Sequence, residues 1–324
     1  MREIFYSEAI REALFEEMRK DSRVFVMGED VGLFGNIFKV TKGLIDEFGA
    51  ERVRDTPISE NAIVGAALGS SMLGMKPVIE IMYMDFLNEA ADQLLNHVPK
   101  IHFMSGGKLK THLVIRTQYS LGRSTGAQHS QFFPIFYMNT PYIQVAVPST
   151  PYDAKGLLKT AIRGDSPTLF IECASLYRTR GPVPKEEYTV PFGKADIKRE
   201  GTDATVIAIS RLVPVALVAA ELLAKEGVNV EVLDPRTLIP LDKETMVASV
   251  KKTGRLITVE DCHKTCGIGA ELSAMVMEEA FDYLDAPVVR LASPDVPVPF
   301  TPPLQSAFML NEDDIVKAVK KLVM

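Results

Sequence analysis

Apolar runs of strand length alternate with helical patterns along almost the whole chain, and that alternation leaves few folds open. Residues 24–27, 78–82, 113–116, 143–147 and 168–171 read as strands. Between them lie helical patterns, one with Ile10, Ala13, Leu14 and Met18 on one face after Ser7 as N-cap, another with Ala90, Ala91, Leu94, Leu95 and Val98, and a third over about 152–163. From Tyr177 to Thr202 the pattern breaks into prolines, glycines and charges, which mark a linker. The alternation then resumes: strands at 204–209, 228–233, 255–260 and 288–291, with helices ending near Glu226, spanning about 270–284, and closing the chain over 312–322. Parallel sheets covered on both faces by helices follow from this order. The expected architecture is α/β, two three-layer α/β/α domains, with boundaries at 1–180 and 201–324 and a linker at 181–200.

Composition excludes several classes. The chain has 324 residues, 47% apolar and 24% charged, with a net charge of −6. That charge, spread without long runs of one sign, argues against nucleic-acid binding. The most apolar window, 204–224, is broken by Arg211, Pro214 and Glu221, so no membrane span is expected. Three cysteines and no signal-peptide pattern predict a reducing, cytoplasmic setting.

Chemistry concentrates in a few places. Arg54 to Glu60 runs straight into the small-residue segment 61–69; Pro57 interrupts, Ser59 is a good N-cap, and Glu60 falls in the first helical turn. Gly65, Ala66, Ala67, Gly69, Ser70 and Gly74 allow close backbone approach, so this helix is expected to be buried. A carboxylate at its rim either caps the helix or serves a site. Glu29 follows the first strand, Tyr83–Phe86 follows the third, and a long polar loop from Arg116 leads to His129. Glu29, Glu60, Phe86 and His129 form the candidate site. Asp234–Asp242, rich in proline, reads as a rigid turn. Cys262, His263 and Cys266 lack a fourth ligand for zinc, and no metal site is expected. Gly267 and Gly269 are weak evidence for a phosphate-binding turn. There is no Walker loop, no Gly-x-Ser-x-Gly and no His-Glu-x-x-His.

Together these residues resemble the beta subunit of the thiamine-diphosphate-dependent first component of 2-oxo acid dehydrogenase complexes, whose members act on pyruvate, branched-chain 2-oxo acids or acetoin. The matching stretches end at Val31, Glu60, Phe86, Gln93, Gly107, Gln131, Leu158, Leu238, Asp242 and Pro299, and they span nearly the whole chain. The resemblance implies a pyrimidine-binding domain followed by a transketolase C-terminal-like domain. It implies that Glu60 hydrogen-bonds the aminopyrimidine ring and that Phe86 packs against it. Glu29, Ile58, Ser59 and Met82 complete the pocket, and His129 faces the substrate. It further implies an alpha subunit in an alpha2beta2 assembly and a lipoyl-bearing dihydrolipoyl acyltransferase, with Asp295 a candidate contact for the latter. The family's Gly-Asp-Gly diphosphate signature is missing; the only Gly-Asp is Gly164-Asp165, followed by Ser166. Mg2+ is therefore expected on the alpha subunit, with thiamine diphosphate shared between the chains. Acetoin cleavage, half of a split transketolase, and an inactive scaffold subunit are the competing readings.

Overall fold

Strands form where the apolar runs fall. The structure, a computed structural model, describes residues 1–323. It divides into two units: Met1–Ser120 with Phe136–Phe192, and Leu121–Ile135 with the chain from Gly193 onward. The first opens with β1 (Arg2–Phe5) and α1 (Tyr6–Lys20), then β2 (Val24–Gly28), β3 (Val53–Asp55), α2 (Glu60–Met72) and β4 (Lys76–Ile81). β5 (Val114–Tyr119), β6 (Gln144–Ala146), α3 (Pro151–Arg163) and β7 (Thr168–Cys173) complete its core. Strands β2 to β7 are parallel, in the order β6-β7-β5-β4-β2-β3. β2, β5 and β7 are buried along their whole length, as strands of a parallel sheet covered on both faces should be, although β5 and β7 carry polar residues. Their C-terminal ends share one edge, and the loops leaving that edge carry the candidate residues.

Three local expectations change. Helix α1 begins at Tyr6, not after Ser7: the Glu8 carboxylate accepts the Phe5 amide at 2.9 Å, and Ser7 Oγ donates to the Tyr177 carbonyl at 3.0 Å. The helix expected around 90–98 is instead a 3-10 segment, Met84–Ala90, followed by a π turn, Gln93–His97. Helix α2 is buried on one face only. Ile63, Val64, Ala67, Leu68 and Ser71 are buried, whereas Ala62 and Ala66 are exposed, and a Cβ at Gly69 or Gly74 would meet nothing within 4 Å. Ala62, Ala66, Gly69 and Gly74 lie on the side that the rest of the chain leaves uncovered.

In the stretch expected as a linker, β8 (Arg180–Val183) pairs antiparallel with β1, and β9 (Asp196–Arg199) lies antiparallel to a strand of the second unit. Pro182 is tolerated because a two-stranded ladder leaves edge positions that need no amide donor. That second unit continues with β10 (Ala204–Ala208), α4 (Leu212–Ala224), β11 (Val230–Asp234), α5 (Lys243–Thr253) and β12 (Leu256–His263). It ends with α6 (Ile268–Ala280), β13 (Val289–Ser293) and α7 (Glu312–Val323), and its sheet order is β13-β12-β10-β11-β9.

Strand alternation makes its three layers explicit. Ala204, Val206, Ala208, Val230, Val232, Ile257 and Val259 pack with α4 and α7. Residues of the opposite parity face α5 and α6: Thr205 Oγ1 bonds Ser249 Oγ and Thr253 Oγ1 of α5 at 2.7 and 2.8 Å, and Glu260 accepts amides at the start of α6. Among the described residues no helix is long and apolar enough to cross a membrane.

Candidate active site

The acidic residues sit where parallel strands end. Glu29 follows β2, and Glu60 is the first residue of α2 after the short β3. Pro57, Ile58 and Ser59 are exposed, Ile58 at 81%, while Glu60 turns inward and is only 8% exposed. Ser59 occupies the N-cap position, yet its side chain makes no capping bond, so the first turn of α2 keeps unsatisfied amides. Among the described residues no hydrogen-bond donor reaches the Glu60 carboxylate. Glu60 is also not neutralised by a neighbour; it faces Glu29. Burial, and then the charges of Glu60, Asp30 and Glu80, raise the Glu29 carboxyl above its ordinary range.

Met82 is the first residue past β4 and is half-buried, its carbonyl accepting from Gln118 Nε2 at 3.1 Å. Phe86 is half-buried in the following 3-10 segment and meets Tyr83 edge-on, with ring centroids 5.6 Å apart. Glu29, Glu60, Met82 and Phe86 therefore gather at one edge of one sheet, and Ile58 and Ser59 lead into it.

His129 belongs to the second unit, in the segment Leu121–Ile135. A local turn holds it: its amide bonds the Gly126 carbonyl at 3.4 Å, and its own carbonyl accepts from Thr125 Oγ1, which also meets Ser130 Oγ at 2.7 Å. Beside this turn the second unit has a cleft of about 420 Å³ lined by Ala127, Gln131, His263, Thr265 and Asp295–Val298. His263 Nδ1 is fixed on the Pro294 carbonyl at 2.7 Å.

Sequence reading missed a buried charge ladder behind the acids. Arg116 on β5 is 1% exposed and lies between Glu80 on β4 and Glu172 on β7. Its Nη1 donates to Glu80 at 2.7 Å, and its Nε and Nη2 donate to the two oxygens of Glu172 at 2.7 and 3.0 Å. Burial opposes the guanidinium charge, but the two carboxylates keep it protonated. Burial lifts Glu172 to about 7, with Arg116 pulling the other way. An arginine and two glutamates in otherwise apolar strands are the signal that could have revealed this ladder.

Other sequence candidates resolve physically. The Gly267–Gly269 turn, considered for phosphate, is already occupied by a carboxyl group of this chain. Glu260 accepts the amides of Ile268 and Gly269 at 2.6 and 2.7 Å, and a Cβ at Gly269 would lie 2.8 Å from its Oε1. Burial raises Glu260 to about 7 against the pull of those amides. Cys262 is buried, and its thiol is raised by burial and by Glu260, while Cys266 is exposed. Asp165 precedes β7, at the strand N-terminal edge, and pairs with Lys110 and His112. It lies at the other end of the sheet from Glu60. In the 234–242 turn, Asp242 caps α5 by accepting the Thr245 amide at 3.2 Å and also takes the Ala195 amide at 3.0 Å.

Comparison with known proteins places this geometry. Residues 2–180 match the family described as "Transketolase, pyrimidine binding domain", and residues 193–315 match "Transketolase, C-terminal domain". The chain is 43% identical to "Pyruvate dehydrogenase E1 component subunit beta, mitochondrial" of Dictyostelium discoideum, over 99% of this chain and 91% of that protein. It is 44% identical to "2-oxoisovalerate dehydrogenase subunit beta" of Bacillus subtilis, over 98% of both. Against "Acetoin:2,6-dichlorophenolindophenol oxidoreductase subunit beta" of the same organism it is 42% identical, over 99% and 98%. A solved structure titled "Split gene transketolase, inactive beta4 tetramer" aligns with a TM-score of 0.81 at 24% identity, covering 99% of this chain and 98% of that one, which shows the shared fold. The chain therefore belongs to the family of beta subunits of 2-oxo acid dehydrogenase first components, built from a transketolase pyrimidine-binding domain and a transketolase C-terminal domain.

Proposed function

We propose that this chain is the beta subunit of an enzyme that oxidatively decarboxylates a 2-oxo acid, pyruvate or a branched-chain relative, and passes the acyl group to a lipoyl domain. The observation that carries the reading is Glu60: a buried carboxylate at a helix start, facing another acid, with no donor reaching it from the described residues. Such a group is open to a polar partner from outside the chain. A ring nitrogen of an aminopyrimidine that shares a proton with the carboxyl satisfies it, and the half-buried Phe86 offers an aromatic surface to the ring face. The residues thus fit the pyrimidine end of thiamine diphosphate. That cofactor, when bound, supplies the electron sink for breaking the bond beside a carbonyl.

The chain's own residues hold and move protons. Glu60 would hold a proton toward the ring nitrogen of the bound cofactor. Glu29, its proton affinity raised by burial and then by the neighbouring charge of Glu60, borders the same end of the site. Ile58, Ser59 and Met82 border the ring site, and His129 transfers a proton on the substrate side.

The diphosphate and its Mg2+ belong to an alpha subunit in this reading. Two things support it: the acid of the only Gly-Asp pair lies at the wrong end of the sheet, and the helix start in the second unit is filled by Glu260. The uncovered small-residue face of α2, with Ile58 (81%) and Leu73 (87%) exposed nearby, suits a closely packed partner. An alpha2beta2 assembly, a lipoyl-bearing dihydrolipoyl acyltransferase and a cytoplasmic setting complete the proposal. The test is calorimetry with thiamine diphosphate and Mg2+ on this chain, on the alpha chain and on the pair. Tight binding by the pair alone is expected; tight binding by this chain alone refutes the shared site. Turnover of acetoin but of no 2-oxo acid would move the reaction to the acetoin branch.

A further inference from the structure

The charge ladder behind the acids joins both sides of the candidate pocket, and its connections point to a task beyond packing. Buried ion pairs contribute little net stability compared with apolar residues of the same volume. On one side, both oxygens of Glu80 accept from Asn36 Nδ2, at 2.8 and 2.9 Å. Asn36 is itself a hub: its Oδ1 accepts the amides of Phe38 and Val40 at 2.8 and 3.0 Å, and its amide donates to the Asp30 carbonyl at 2.7 Å. It adopts a left-handed φ of 56°, as does Asp30 at 54°, so the loop after β2 turns sharply at both residues, and Asn36 is the loop side chain that joins it to Glu80. Asp30 is the residue next to Glu29.

On the other side, Tyr177 donates its hydroxyl to Glu172 at 2.7 Å. Its ring lies 5.1 Å from Phe38, Phe38 lies 6.4 Å from Tyr83, and Tyr83 lies 5.6 Å from Phe86. One guanidinium therefore ties the loop that carries Glu29 to the aromatic row that ends at Phe86.

We propose that Arg116, Glu80 and Asn36 act as a positioning lock that holds Glu29 and Phe86 at their working separation around the pyrimidine ring. This rests on the pyrimidine-site reading and extends it to residues that touch no cofactor. The lock has a selective consequence. Loosening it weakens the ring end of the site and leaves the diphosphate end, held by the partner subunit, as it was.

The experiment uses the assembled alpha–beta enzyme with Asn36→Gly, which removes the side-chain links while tolerating the positive φ. Glu80→Gln is the second variant; it keeps the shape and removes the charge. Arg116 itself is left alone because its loss would strand two buried carboxylates. Calorimetry should show thiamine diphosphate bound about tenfold or more weakly, the scale expected when a binding group is misplaced by a fraction of an ångström. Affinity for magnesium diphosphate should not change, and amide exchange in the cofactor-free assembly should quicken across 30–42 alone. The lock is refuted if both variants bind thiamine diphosphate within about twofold of wild type, or if both ligands weaken in parallel as in a generally loosened assembly. Glu60→Gln separates the two levels. If that variant turns over normally, the pyrimidine reading falls and the lock with it; if it fails while Asn36→Gly and Glu80→Gln are both silent, only the lock falls.

Discussion

Glu260→Gln tests whether burial keeps this carboxyl of the second unit protonated in the folded chain. The wild-type carboxyl rises from an ordinary 4.5 to about 7 because it is buried beneath α6. Between those pH values the folded chain binds a proton that the unfolded chain has lost. The stability it contributes is therefore complete below pH 4.5 and is lost as pH rises through 7, by about 1.4 kcal/mol per pH unit in the steep region. Between pH 5 and pH 7 this amounts to roughly 2 kcal/mol. A glutamine cannot titrate, so the variant should lack that slope. Glu172, also raised to about 7, titrates alike in both proteins and cancels in their difference. The assay is urea unfolding of wild type and variant at pH 5, 6 and 7, comparing how the transition that reports the second unit moves. Parallel pH curves would refute the reasoning, showing that the amides of Ile268 and Gly269, with the helix dipole, keep the carboxylate ionised despite burial.

Other outcomes follow from the same contacts. Glu60→Gln should lower holoenzyme turnover by roughly 100-fold or more, the range for losing a positioned proton-transfer group, with assembly intact by gel filtration; unchanged turnover removes Glu60 from the chemistry. Gly269→Ala places a Cβ against Thr258 Oγ1 and 2.8 Å from Glu260 Oε1, and thermal unfolding should report a loss of about 1–3 kcal/mol from forced displacement of those side chains. An unaltered midpoint would mean that α6 shifts freely on the sheet.

Much of this protein was written in local pattern. Runs such as 24–27 and 204–209 became strands because apolar length and flanking breakers depend only on near neighbours. Glu60 was legible as the first residue of a helix for the same reason: Pro57 and Ser59 settle where the chain turns. Phe86 and His129 stood out by their places after strands, and the family resemblance added the roles proposed for them, which no periodicity could suggest.

Tertiary structure decided the rest, because the deciding contacts join residues far apart in the chain. Asn36 meets Glu80 across 44 positions, and Arg116 meets Glu172 across 56, so no window of sequence displays the ladder. The expectation that α2 is wholly buried failed because composition reveals smoothness but not which side the sheet covers. Likewise Gly267 and Gly269 look ready for a phosphate until folding brings Glu260 against their amides. Sequence alone determined most of the elements and the identity of the acid at the helix mouth; only the packed chain determined which charges face one another, since electrostatics depends on distance in space and on burial.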